Sequence, residues 1–280
     1  GGTIFETTCR GFPAMGVMDG LDACYVAFNP AGDCGDVERW EMVHPITYLG
    51  RRIWRGHGFG KYRGGEGLES LYMVINSDDV SLSSSGGGCR VFGAQGLMGG
   101  YPGSTSYKYI CRNTNYQEAA YAHRPLPTDE GDDPAHPAWD SLLKGETTLT
   151  DVPTLAAQYK SYDLWHQMVG AAGGYGDPIE RDPEAVRRDL ELGLCSRHSA
   201  ENVYCVKFNA STTEIDREGT ERLSKDMRRR RLERGIPAKE YVRRTGEKLM
   251  KGSIPETPKR CLNHCMRISR KFLGEFRQAW

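Results

Sequence analysis

Three glycines in four positions, Gly173-Gly174-Tyr175-Gly176, followed at once by Asp177-Pro178, divide this chain into two parts of different character. Before them the sequence reads as strands and turns, and after them as helices. Glycine reaches positive φ and lets two backbones approach with no Cβ between them, while Asp-Pro enforces a turn or an extended step. Downstream, Asp182 suits an N-cap and Pro183 a first helical position, where an N–H would go unpaired anyway. Val186, Leu190 and Leu194 recur at helical spacing, Glu184 sits in the first turn where the helix dipole favours an anion, and Gly193 supplies a stop. A glycine loop opening a short capped helix is expected.

Upstream, residues 1–37 mix small residues with Cys9, Asp19, Asp22 and Cys24 and show no sustained periodicity, so an irregular segment lying across a neighbour is expected. Ile46-Thr47-Tyr48-Leu49 reads as a strand, Leu68 to Ile75 as a second with Leu71, Met73 and Ile75 on one face, Val80 to Ser83 as a third and Tyr107 to Arg112 as a fourth. Glycine-rich turns at 56–67, 83–88 and 99–103 separate them. Leu155, Tyr159, Tyr162 and Trp165/His166 permit a helix within 142–172, and Asn202 to Phe208 reads as a strand. Three helices are expected to follow, Asp216 to Arg234, Pro237 to Met250 and Pro258 to Gln278. The fold class is α+β, a β-rich body over 38–210 with a helical extension over 211–280.

The extension is basic and the body acidic. From Arg217 onward there are 19 Lys/Arg against 8 Asp/Glu, a net of +11, which leaves residues 1–216 at −11 in a chain of zero net charge. Nine cysteines without close, even spacing do not form a disulfide framework, and no basic segment followed by an apolar core opens the chain, so a reducing cytoplasm is the default expectation. No apolar run approaches the roughly 20 residues of a membrane helix.

The candidate chemistry is sparse. In Gly58-Phe59-Gly60-Lys61-Tyr62-Arg63-Gly64-Gly65-Glu66-Gly67, backbone amides and two basic side chains invite an anion, but Lys61 is followed by tyrosine and then a strand, so a turn is the better reading. The same choice arises at Gly173 to Gly176. Cys261, His264 and Cys265 share a helical face at a spacing open to zinc, yet they continue an apolar stripe through Ile268, Phe272 and Phe276, and buried cysteines explain them better. Asp19, Asp22, Asp33 and Asp36 with His44 read as acidic turn residues rather than ligands. Arg228-Arg229-Arg230-Arg231 has no aromatic interleaving, so a solvated face or a surface for an acidic protein is preferred to nucleic acid.

Glu38-Arg39-Trp40-Glu41, Pro45 to Arg52 and Gly60 to Glu69, followed about a hundred residues later by Gly173 to Pro183, Val186, Asp189 and Tyr204, resemble the C-terminal half of hydantoinase B/oxoprolinase-type subunits over residues 20 to 235. Within that family, Phe28 to Arg52 and the basic C-terminus look most like the ketone carboxylases, in particular the smaller hydantoinase B-like subunit of acetophenone carboxylase-type enzymes. The resemblance implies a subunit of a cytoplasmic complex that joins a ketone and bicarbonate into a β-keto acid at the expense of ATP, through phosphorylated intermediates. A hydantoinase or 5-oxoprolinase subunit and a non-catalytic scaffold are the alternatives. The implied cofactors are ATP and a divalent metal, held by partners: a hydantoinase A-like ATP-binding subunit and a complementary hydantoinase B-like N-terminal-type subunit. The His/carboxylate metal site of acetone carboxylase-like relatives belongs to the N-terminal half, so no catalytic, cofactor-binding or metal residue is assigned here.

Overall fold

The computed structural model of the chain describes residues 3–4, 9–24, 36–84, 94–126, 142–150 and 154–251, with the single positions 253, 256, 259, 260 and 263. In chain order the elements are β1 (Thr3–Ile4), α1 (Val37–Val43), β2 (Ile46–Trp54), β3 (Gly67–Val74), β4 (Val80–Ser84), β5 (Tyr107–Arg112), α2 (Tyr116–Tyr121), β6 (Glu146–Thr150), β7 (Thr154–Tyr159), β8 (Leu164–Met168), α3 (Pro183–Glu191), α4 (Arg197–Asn202), α5 (Arg217–Arg234) and α6 (Ala238–Met250). By its contacts the chain divides into two units, Gly1–Ser224 and Lys225–Trp280.

The first unit holds a five-stranded antiparallel sheet in the order β2-β3-β8-β5-β6 and a three-stranded sheet in the order β1-β4-β7. Strand β3 lies at the inner position next to the β2 edge and is buried at every residue. Alternation sorts its side chains: Leu71 and Met73 join Tyr109, Cys111, Leu164 and Met168 on one face, under Ala119 of α2. Tyr72 and Val74 join Ile110 and Trp165 on the other, against Val80, Leu82 and Tyr159 of the smaller sheet. The expected face of Leu71, Met73 and Ile75 is therefore present, with Ile75 at its margin. A register shift between Tyr48 and Gly50 marks a bulge at Leu49, which lets β2 run on past the expected four residues to Trp54.

Two expectations fail. The stretch 142–172 holds no helix among the described residues but three strands, β6, β7 and β8. All five residues of β8 are buried, so the two-residue alternation that identifies a strand is erased and the large side chains match helical spacing by accident. Asn202 to Phe208 is no strand either. Cys205 takes a left-handed φ of 60°, which an extended run cannot contain, and only Phe208 pairs, with Ile215. Tyr204, Val206 and Phe208 instead pack on Val186, Cys195 and Ala200 as a third core.

Helix α3 starts as expected. The Asp182 side chain accepts a hydrogen bond from the Glu184 amide at 3.1 Å and Pro183 is first in the helix, while Gly193 follows its end at φ 72°. Residues 9–24 carry no element beyond one bridge, Arg10 to Cys24. Their backbone is bound to the chain's own segment 63–68: the Gly65 amide donates to Phe12, the Gly20 amide to Arg63, and the Leu68 amide to Cys9, at 2.9, 2.8 and 3.1 Å.

The second unit consists, where described, of the end of α5 and of α6. Arg229 and Arg230 are exposed and both bond Asp226, and Arg243 bonds Glu240 and Glu247, so the basic faces are solvated and laced by local pairs. The Cys261, His264 and Cys265 trio and the aromatic stripe lie outside the described residues. No helix among the described residues is long and apolar enough to cross a membrane.

Candidate functional site

The two glycine motifs, distant in sequence, are pressed together backbone to backbone. Tyr62 and Tyr175 exchange hydrogen bonds at 3.0 and 2.9 Å, and the Gly58 amide donates to Ala172 at 2.8 Å. The approach is too close for a side chain: a Cβ on Gly64 would lie 1.9 Å from the Ala172 oxygen, and one on Gly174 would lie 2.4 Å from that of Phe59. This contact explains the glycines and takes up most of the amides that an anion would need. Gly58 and every residue from Lys61 to Glu66 already donate their amides to acceptors of the chain, as do Gly174, Tyr175 and Gly176.

Beneath this contact lies a buried ionic network. Asp22 receives two bonds from Arg63, at 2.7 and 2.9 Å, and Asp19 receives two from Arg181, at 2.6 and 2.7 Å. Asp189, on the inner face of α3 beside Val186, bridges the two guanidiniums at 3.1 and 2.7 Å. Burial alone would raise the Asp19 carboxyl, but the hydrogen bond and charge of Arg181, aided by Arg63, outweigh it and hold it below its ordinary value; Arg63 and the Glu66 amide do the same for Asp22. Burial likewise opposes the charge on Arg63 and Arg181, and their carboxylate partners more than compensate, so both pKa values move up.

A second chain of contacts adjoins the first. Glu66, fully buried, bonds the His57 Nδ1 and accepts the Gly56 amide at 2.8 Å, while His57 Nε2 lies 3.1 Å from the Tyr204 hydroxyl. Burial raises the Tyr204 phenol well above its ordinary value, so it stays neutral. Carboxylate, imidazole and phenol in sequence can hold and pass a proton, but His57 is 5 % exposed and Tyr204 1 %, which closes the chain to an outside reactant. Its evident work is to tie the helical core to the glycine loops.

Of the acidic candidates, Asp19 and Asp22 are brought together as arginine partners rather than bland turn residues. Asp36 and His44 flank α1, and His44 stacks on Trp40. Asp33 lies outside the described residues. A cation beside Asp19, Asp22 or Asp189 would meet two guanidiniums, so the network does not fit a metal, and no group of three or more metal-ligating side chains occurs among the described residues. Cys195, raised to about 12 by burial and the Asp189 charge, is an inert thiol. A 260 Å³ cavity is lined by Glu184, Arg187 and Arg217 among others, but Glu184 already pairs with both arginines. The sequence reading missed Arg181, His57 and the role of Glu66. Their signal was charge placed between glycines and caps, where a solvated side chain has no reason to sit.

The chain belongs to the Hydantoinase B/oxoprolinase family, whose model matches residues 1–178. It is 32% identical over 282 aligned residues to the acetone carboxylase alpha subunit of Xanthobacter autotrophicus, covering 99% of this chain and 36% of that one. It is 27% identical over 247 residues to the acetophenone carboxylase delta subunit of Aromatoleum aromaticum, covering 85% and 35%. Among solved structures, a nucleotide-free acetone carboxylase from work on ATP-dependent acetone carboxylation matches with a TM-score of 0.80 at 30% identity, over 97% of this chain and 37% of that one. An ATP-dependent caprolactamase from Pseudomonas jessenii matches with a TM-score of 0.55 at 18% identity, a likeness of fold alone. The chain thus spans about a third of the length of the curated relatives it matches.

Proposed function

We propose that this chain is part of an ATP-dependent ketone carboxylase that converts a ketone and bicarbonate to a β-keto acid, and that its own role is structural and substrate-channelling. The observation that carries the reading is the likeness to the acetone carboxylase alpha subunit along nearly the whole chain. ATP and a divalent metal act on partner polypeptides in this proposal, namely a hydantoinase A-like ATP-binding subunit and a complementary hydantoinase B-like polypeptide, in a cytoplasmic hetero-oligomer. Most amides of the glycine loops are committed within the chain and Asp19 and Asp22 are held by arginine, which supports leaving nucleotide and metal to partners. The basic second unit, with Tyr241, Val242 and Met250 exposed on α6, suits a partner-facing extension. No catalytic residue is assigned.

The test is to purify the chain with its native companions and measure ATP-dependent incorporation of labelled bicarbonate into a panel of ketones, with hydantoins and 5-oxoproline in parallel. Carboxylation of a ketone by the assembly, with neither ATP hydrolysis nor carboxylation by the isolated chain, is the expected result. ATP-driven ring opening without carboxylation would replace the proposal with the amidohydrolase reading, and robust ATP turnover by the single chain would remove the non-catalytic role.

A further inference from the structure

The two glycine motifs carry an exposed face on their outer side. Residues 11–18 and 94–103 hold no charged side chain in a chain that is 26% charged, and the structure places these two uncharged loops side by side. The Ala14 amide donates to Gly173 at 3.1 Å and the Leu97 amide to Gly174 at 3.0 Å, so one backbone strip anchors both. Tyr175 lies between them: a Cβ on Gly16 would sit 3.5 Å from its ring, and Leu97 is bridged to its backbone. Met15, Val17, Met18, Leu97, Met98 and Tyr101 are exposed there, Val17 at 79 % and Met98 at 77 %. Apolar groups gathered in this way mark an interaction site, whereas scattered ones need no explanation.

Met98 is an independent observation. It stands at φ 51°, followed by Gly99 at φ 98°, in a turn closed by the Gly100 amide on the Leu97 oxygen at 2.9 Å. Asparagine or glycine suits that position, and a long apolar side chain there weakens the turn while reaching into water. Neither folding nor solubility favours a methionine at this apex, but a contact would.

We propose that this face is a protein docking surface and that its occupant is the polypeptide supplying the part of a full-length hydantoinase B chain that this sequence does not cover. The proposal rests on the reading above that the chain works within a larger assembly. Nearly all of this chain aligns with 36% of the acetone carboxylase alpha subunit, so most of that relative lies outside the aligned part. The two loops bring no charged side chain of their own for phosphate or nucleic acid, and their exposed apolar groups fit an apolar protein face. Methionines adapt to such a partner, and the interlocked glycine backbone beneath needs no ordering when it binds.

A benzophenone side chain placed at position 98 of the full chain, irradiated in the purified native assembly, tests this. Cross-linked peptides should come from a companion that aligns with the uncovered part of the acetone carboxylase alpha subunit. Cross-links to a second copy, to the same chain, to the ATP-binding companion alone, or to nothing would overturn the proposal. Met98→Gly gives a readout of opposite signs: relief of the positive φ should raise the melting temperature of the free chain, while loss of the side chain lowers retention of the companion. With Val17→Asp added, retention should fall about tenfold. Unchanged retention in both variants would also overturn it. Carboxylation is assayed on the same preparation: the expected cross-link without ketone carboxylation removes the functional reading alone, and carboxylation with the cross-link elsewhere removes the docking surface alone.

Discussion

Asp189 touches both buried guanidiniums, so removing it leaves two largely buried cations each short of a partner. Asp189→Ala should destabilise the first unit by about 3 kcal/mol, the low end for a broken buried pair because Arg63 and Arg181 each keep a second carboxylate; urea unfolding measures it. Asp19 and Asp22 make the same network sensitive to acid. Their folded pKa values lie below the ordinary 3.8, so near that pH the unfolded chain binds protons before the folded chain does. Their contribution is complete above this range and is lost as pH falls through it. Urea midpoints taken from about pH 6 down to about pH 3 should therefore fall below about pH 4, with a shallower fall in Asp22→Asn. Gly176 is a different case, since it combines φ 78° with a position where a Cβ would meet the Lys61 Cβ at 2.9 Å. Gly176→Val should cost about 1–3 kcal/mol from backbone strain alone, read as a lowered thermal midpoint.

At the scale of elements, β3 is buried along its whole length and hydrogen-bonded on both sides, whereas α6 is exposed along most of its length. Native-state hydrogen exchange should rank β3 and β8 slowest and α6 fastest, and equal protection in α6 would show that the second unit is more firmly held than its exposure implies. The same contrast explains what could be read from sequence. Helix α3 was legible because capping is local chemistry: Asp182, Pro183 and Gly193 announce it within a dozen residues. Strand β3 was legible from Leu71, Met73 and Ile75 on one face after a glycine-rich turn, and β5 from its aromatic run after another. Strand β8 was not, because burial of both faces erased its alternation, and Tyr204 to Phe208 misled because a hydrophobic run gives no sign of the left-handed step at Cys205. The ionic network was half legible. Asp19 and Asp22 were visible as acids, but their partners Arg63, Arg181 and Asp189 meet them only through contacts between distant parts of the chain.

At the scale of the molecule, the first unit holds all three apolar cores and the ionic network, while the second has no such core among the described residues. Truncation after Gly235 should accordingly leave a folded body, with the urea midpoint of the full chain, that keeps the loop face around Met98 but assembles more weakly with its companions; wild-type assembly by the truncated chain would show that the extension adds nothing to the interface. Changing Arg228 to Arg231 to glutamine should slow that assembly more at low salt than at high salt, because charges at a rim steer association. The position of β3 has one more effect. Its partner on one side, β2, precedes it by the glycine-rich loop 55–66, but its partner on the other, β8, follows about a hundred residues later, with Glu69 opposite Met168. During synthesis the β2–β3 hairpin therefore leaves the ribosome with one open, hydrophobic edge, and the central sheet closes only after β8 has emerged. Until β8 pairs with it, that edge of β3 is open to pairing with another strand.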